Sequence, residues 1–392
     1  MSPGALLGVL AAFILAACGE QLAGIQGSGS PVAAGVTSTG PISGFGSIIL
    51  GGVEYETSGA QIRVDDDVAA ESQLRVGQVV TLKGTVNADG VTGKASEVTF
   101  STDLRGVITQ IDLVNTTFSV LGQQVLVTDA TVFDDAIQPA ELAGLHVGSP
   151  VQVSGFRNGD GALIASRVDN PAAGAVSQVK GTVQALDSTA RTFRISTLTV
   201  DYSGIVPTGT LSNGSTVVVR GSSLTAGGAL IATAVKVIDA QTGAPNDRGQ
   251  VEGIVTAFTS TSDFKVNGQR VITNGSTDFV LHGATLGVNV RVDVRGTFDA
   301  NGSLVATRVE VKPQTLSRVS GLIEAVSTSG QSLTVLGVSI STSAATSFED
   351  RSSQHERFFE LADLRTGDYV EVRGTADSGT ALVATRVGRE NG

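Results

Sequence analysis

The chain has 392 residues, a formal charge of −11, 41% hydrophobic and 16% charged residues, one Cys, one Met and no Trp. At about 100–200 residues per domain, this length suggests two to four domains or more numerous small units, and the composition is too apolar for a disordered chain. One cysteine excludes an intramolecular disulfide and a zinc site on paired Cys, and the acidic balance argues against a nucleic-acid partner, since phosphate binding needs clustered Lys and Arg.

Residues 6–17 are an uncharged apolar run that ends at Cys18. Such a run is too short for a bilayer core of about 30 Å and suits the apolar region of a secretory signal. Leu15-Ala16-Ala17-Cys18 resembles the lipobox of bacterial lipoproteins, although Met1–Gly4 lack the usual basic residue. The resemblance implies a signal peptide over 1–17, lipidation of Cys18 and anchoring in a membrane. Gly19, rather than Asp, after the cysteine then implies transport to the outer membrane. Residues 18–41, rich in Gly, Ser and Ala without periodicity, are expected to form a flexible tether.

The rest of the chain repeats five times, over 42–100, 103–170, 178–239, 250–312 and 318–390. Each copy carries a short strand ending in glycine: Gly84, Gly155, Gly221, Gly296 and Gly374. The positions two and four before it are apolar, as in Val370 and Val372, which is the period of a half-buried strand. Seven residues before it stands Gly77, Gly148, Gly214, Asn289 or Gly367, residues suited to positive φ. Ten or eleven residues after it comes Ala-[Ser/Thr]-x-Val, at Ala95, Ala165, Ala232, Ala306 and Ala384. The turn-rich link between the two motifs predicts a hairpin. Copies two to five open with Gly-x-[Ile/Val], at Gly106, Gly181, Gly253 and Gly321. A variable insertion follows the third strand, with helical turns expected near 139–142 and 355–361.

These patterns predict an all-β fold: a tandem array of five small OB-like, five-stranded Greek-key barrels behind a signal peptide and flexible tether. A β-sandwich of pooled strands is the alternative. Together the motifs resemble the repeats of DUF5666, an uncharacterised bacterial family, over roughly residues 42–390. The resemblance implies a fold and a location rather than a reaction.

No P-loop, dinucleotide-binding glycine motif or nucleophile elbow appears, so no catalytic, cofactor-binding or metal-ligating residue is assigned. His146 shares its slot with Arg75 and Arg365 and reads as solvent-facing; neither it nor His282 or His355 has a second His at metal-ligand spacing. Asp65, Asp66 and Asp67 with Glu71 could hold Ca²⁺, but they occur in one copy only and lack the full loop spacing, so a solvated loop is the favoured reading. Asp299-Ala300-Asn301-Gly302 occupies a hairpin slot and reads as a turn, and Asp134-Asp135 as a loop or helix start. Arg167, Arg308 and Arg386 share one slot, with Glu97 and Ala234 in the other copies, and are expected on a solvated strand edge. With 4% aromatic residues, neither a stacking platform for nucleic acid nor a strong sugar platform is expected.

What repeats is Gly, Val and Ala, residues of fold rather than of chemistry. The leading expectation is therefore a non-catalytic, membrane-anchored structural or interaction module of the bacterial envelope, with an envelope protein or glycan as partner. The alternatives are a binder of a small molecule, metal ion or glycan, with the last insertion (345–363) as its site, and an enzyme.

Overall fold

The computed structural model describes residues 34–238, 243–313, 315–377 and 381–391. The expected signal peptide over 1–17 and the expected lipidation site Cys18 lie outside the described residues. No described helix is long and apolar enough to cross a membrane. Strands dominate, with short 3-10 turns at Glu71–Gln73, Leu142–Gly144 and Leu361–Asp363, the last two at the ends of the expected helical turns.

The fifth copy shows how the repeat folds. Ser317–Ser327 pairs with Ser332–Val335 on one side and with Tyr369–Ala376 on the other. Val338–Ser341 continues from Ser332–Val335 and pairs in parallel with Ala381–Glu390, which in turn pairs with Tyr369–Ala376. The five strands close into an OB-like ring, and Ser347–Asp350 adds a sixth strand in parallel to Ala381–Glu390. Closure removes the exposed edges that an open sheet would present. The ring is filled by Val335, Ile340, Val370, Val372 and Val387, all fully buried.

Two repeat motifs act as one device. The strand-ending glycine sits at a β-bulge in every copy, as at Arg373/Gly374 and Arg295/Gly296. A Cβ on Gly84, Gly155 or Gly296 would lie 2.1 Å from a carbonyl oxygen of the facing strand, so no other residue fits. Opposite each glycine sits the alanine of Ala-[Ser/Thr]-x-Val, as Ala306 opposite Gly296. The hydroxyl next to that alanine donates to the carbonyl before the glycine: Ser96 to Lys83 at 3.0 Å, Thr307 to Arg295 at 3.1 Å, Thr385 to Arg373 at 3.0 Å. The hydroxyl occupies an acceptor that the bulge takes out of the ladder. The upstream turn residues adopt positive φ, with Asn289 at 69° beside Gly367 at 96°.

The expected array of five barrels is corrected. Among the described residues, the strands join into three hydrogen-bonded sheets of 13, 12 and 6 strands. The first and fourth copies share a sheet, because Ala34–Phe45 runs parallel to Arg248–Ser260 from Val36 to Thr39. The second and third share another through Leu104 opposite Val179 and Arg105 opposite Gln178. They also share one apolar core, running from Leu104 to Val235. Among the described residues, only the fifth copy keeps a sheet to itself. Small units bury too little apolar surface alone, and pooling strands and cores reduces that deficit.

The expected tether is corrected over 34–41, while 18–33 lie outside the described residues. From Ala34 onward the chain is a strand, antiparallel to Val79–Val86 and flanked on its other edge by the fourth copy. Its glycine content reflects close approach: a Cβ on Gly35 would lie 2.3 Å from an Asp247 carboxylate oxygen.

Candidate functional site

Several of the charged residues singled out in the sequence, among them Asp65, Asp66, Arg167 and Asp135, are fasteners between copies. Asp65 and Asp66 form the two-residue turn between Gln61–Val64 and Asp67–Val68, with φ of 51° and 78°. Positive φ at both turn positions matches the twist of a tight hairpin and aims both carboxylates away from their own strands. The Asp65 carboxylate accepts from the Thr102 backbone N–H at 2.7 Å, the Thr102 hydroxyl at 2.9 Å and the Gln178 amide at 3.0 Å. It also accepts from the Arg105 guanidinium. Asp66 receives Lys236 Nζ at 2.5 Å and Arg220 Nη2 at 3.2 Å. One turn of the first copy is thus locked to the second and third. Burial pushes the Asp65 carboxyl up, but the Thr102 backbone hydrogen bond and the Arg105 guanidinium outweigh it and hold the group below the usual carboxylate range. The solvated-loop reading is corrected at Asp65, whereas Asp66 and Asp67 are exposed, and the Asp65 oxygens already have protein donors where Ca²⁺ would need them. Among the described residues, no three His, Cys, Asp or Glu side chains converge on a metal position.

A second junction joins the second and fifth copies. Arg167 and Arg386, expected on a solvated edge, are 4% and 8% exposed. Both reach Glu349: Arg386 Nη2 at 2.6 Å and Arg167 Nη1 at 3.7 Å. Arg167 also donates to Asp169 at 2.5 Å and to the Val76 carbonyl of the first copy at 3.0 Å. Burial pushes the Glu349 carboxyl up, yet Arg386, Arg167 and Arg351 together hold it below its ordinary value. Nearby, Arg389 pairs with Asp350 at 2.6 Å. The loop pair Asp134-Asp135 belongs to the same junction: Asp134 stands 3.9 Å from Arg167 Nη2, and Asp135 accepts from Arg351 at 2.9 Å. Arg308, in the same repeat slot, stays 40% exposed beside Asp278 and Glu310.

The last insertion fastens copies too. The Arg357 guanidinium lies 4.0 Å from the centre of the Phe45 ring and donates to the Leu74 carbonyl at 3.1 Å. Asp299 is a local turn: its carboxylate accepts from the Asn301 and Ser303 backbone N–H groups at 2.8 Å each. His146 is exposed. His282 stands 3.8 Å from Glu310 and His355 3.8 Å from Asp135, in different copies.

Above the second junction opens a cleft of about 680 Å³ between the insertion of the second copy and the barrel of the fifth, lined in part by Glu141, Arg318, Arg351, Tyr369, Arg373 and Glu390. Sequence reasoning missed it. Its residues come from the insertion of the second copy and from strands of the fifth, and they meet only because those two copies pack together.

The family model described as "Domain of unknown function (DUF5666)" matches residues 36–99, 105–169, 252–310 and 320–388. No curated protein matches. Among solved structures, the chain is similar to "drosophila Unr CSD456" at 14% identity and a TM-score of 0.15, over 54% of this chain and 98% of that one. It is also similar to a "multidomain protein with nucleic acid binding domains" from Streptococcus pneumoniae TIGR4, at 14% identity and a TM-score of 0.14, over 58% of this chain and 76% of that one. Likeness at this level carries no argument about what the present chain binds. The expected exclusion of nucleic acid is corrected to the extent that it rested on the charge of −11, a whole-chain sum that does not give the local distribution of charge.

Proposed function

The chain belongs to the DUF5666 family, and on that premise we propose that it is a structural or interaction module of the bacterial envelope, anchored through a lipid on Cys18, in the outer membrane. The observation that carries this reading is where the charged residues stand out. Arg167 and Arg386 are buried, and Asp65 partly buried, in junctions between copies, so these charged side chains hold the repeats together. A body tied at several junctions resists deformation, which suits a protein that presents a surface at a fixed distance from its anchor. An envelope protein or glycan is the partner class, and the two or more acyl chains of a lipoprotein suffice for stable anchoring.

The test is fractionation of Cys18→Ser. The substitution removes the thiol that carries the lipid, so the protein should move from the membrane fraction to the soluble fraction and lose labelling by an alkynyl fatty acid. Retention of both membrane association and label would overturn the anchor. The small-molecule alternative gains support from the cleft between the second and fifth copies.

A further inference from the structure

We propose that the cleft between the second and fifth copies is a binding site for a small zwitterion, an amino acid or short peptide. Its volume of about 680 Å³ lies within the range of small-molecule sites, roughly 300–1,000 Å³. It is built rather than incidental, because its inner charges are held in place. Glu371 is clasped by Arg373 at 2.7 Å and Arg318 at 2.6 Å. Arg373 is fixed again by donating to the Asp129 carbonyl at 2.6 Å. Arg351 spans from Asp135 at 2.9 Å to Glu390 at 3.5 Å. Glu390, which meets Arg351 at 3.5 Å rather than in a close hydrogen bond, also lines the cleft.

The lining selects the class. Three guanidinium groups and the carboxylates of Asp135, Glu141, Glu371 and Glu390 face one space. A multiply charged anion meets four carboxylates, and a polycation meets three arginines. An apolar ligand would strip water from all of them without replacement. A zwitterion supplies one charge of each sign and suits such a lining. The two exposed groups take the ends. Arg318, with 57% of its side chain exposed, accommodates the carboxylate, and exposed Glu141 on the opposing insertion accommodates the ammonium. The half-exposed Tyr369 ring supplies an apolar surface between them. This assignment is independent of the lipid anchor.

Calorimetric titration of the full chain with trialanine, N-acetyl-trialanine and trialanine amide tests it. Trialanine should bind, and each cap should weaken binding by about tenfold or more, equivalent to about 1.4 kcal/mol. Arg318→Gln should abolish the preference for trialanine over its amide, and Glu141→Gln the preference over its acetylated form. Both variants should keep the wild-type melting temperature, since both side chains are exposed. Absence of binding to trialanine, equal binding of all three peptides, or variants that leave the preferences intact would overturn the proposal.

Discussion

Arg167 and Arg308 occupy the same slot of the same repeat, two residues after the Ala of the motif. One is buried among Asp169, Asp134 and Glu349, and the other stands in solvent beside Asp278 and Glu310. Their strands are alike; what differs is the neighbour packed over them. The fifth copy lies across Arg167 and removes its water, whereas Arg308 keeps its hydration. An arginine in this fold therefore becomes a fastener through its surroundings and not through its sequence position.

The difference sets the order of effects. Arg167→Leu leaves Asp169 and the edge of Glu349 without their cation in a site closed to water, and should cost about 3–5 kcal/mol, read as a lowered urea midpoint. If Arg167→Leu is as stable as the wild type, burial of this pair is not what holds the copies together.

Asp65 comes next. Asp65→Asn keeps the shape and weakens the charge-assisted hydrogen bonds, at about 2 kcal/mol near neutral pH. The folded carboxyl titrates below its unfolded value, so its stabilisation is complete above the unfolded value of about 4 and is lost as pH falls through the lower folded value. Urea midpoints at pH 7 and pH 3 should therefore show the gap between wild type and variant narrowing in acid. A gap that widens in acid would contradict the sign.

Arg308→Ala should change stability by less than about 1 kcal/mol, because both its ion pairs are solvated. A loss as large as that of Arg167→Leu in the same urea assay would show that the repeat slot, rather than the covering copy, decides the outcome.

Much of the repeat was legible because its chemistry is local. Gly296 and Thr307 answer to a bulge whose two strands are joined by one hairpin, so spacing alone revealed the pair. Asn289 at positive φ follows the same logic. Asp65 was opaque because its partners, Arg105 and Gln178, are 40 and 113 residues away, in other copies. The strand from Ala34 read as a tether because it is hydrogen-bonded along both edges, and close neighbours there favour Gly and Ser over an alternating apolar pattern. The three-sheet arrangement was hidden for the same reason: a strand's pattern marks which side is buried, and not which copy lies beyond its edge. The cleft inherits that limit, since Glu141 and Arg318 belong to different copies.

Inter-copy charge junctions make the copies one body. Hydrogen exchange on the full chain carrying Arg167→Leu tests it most directly. Protection should fall together in Leu163–Asp169 of the second copy and in Ser347–Asp350 and Ala381–Glu390 of the fifth. A loss confined to the second copy, with the fifth protected as in the wild type, would contradict it.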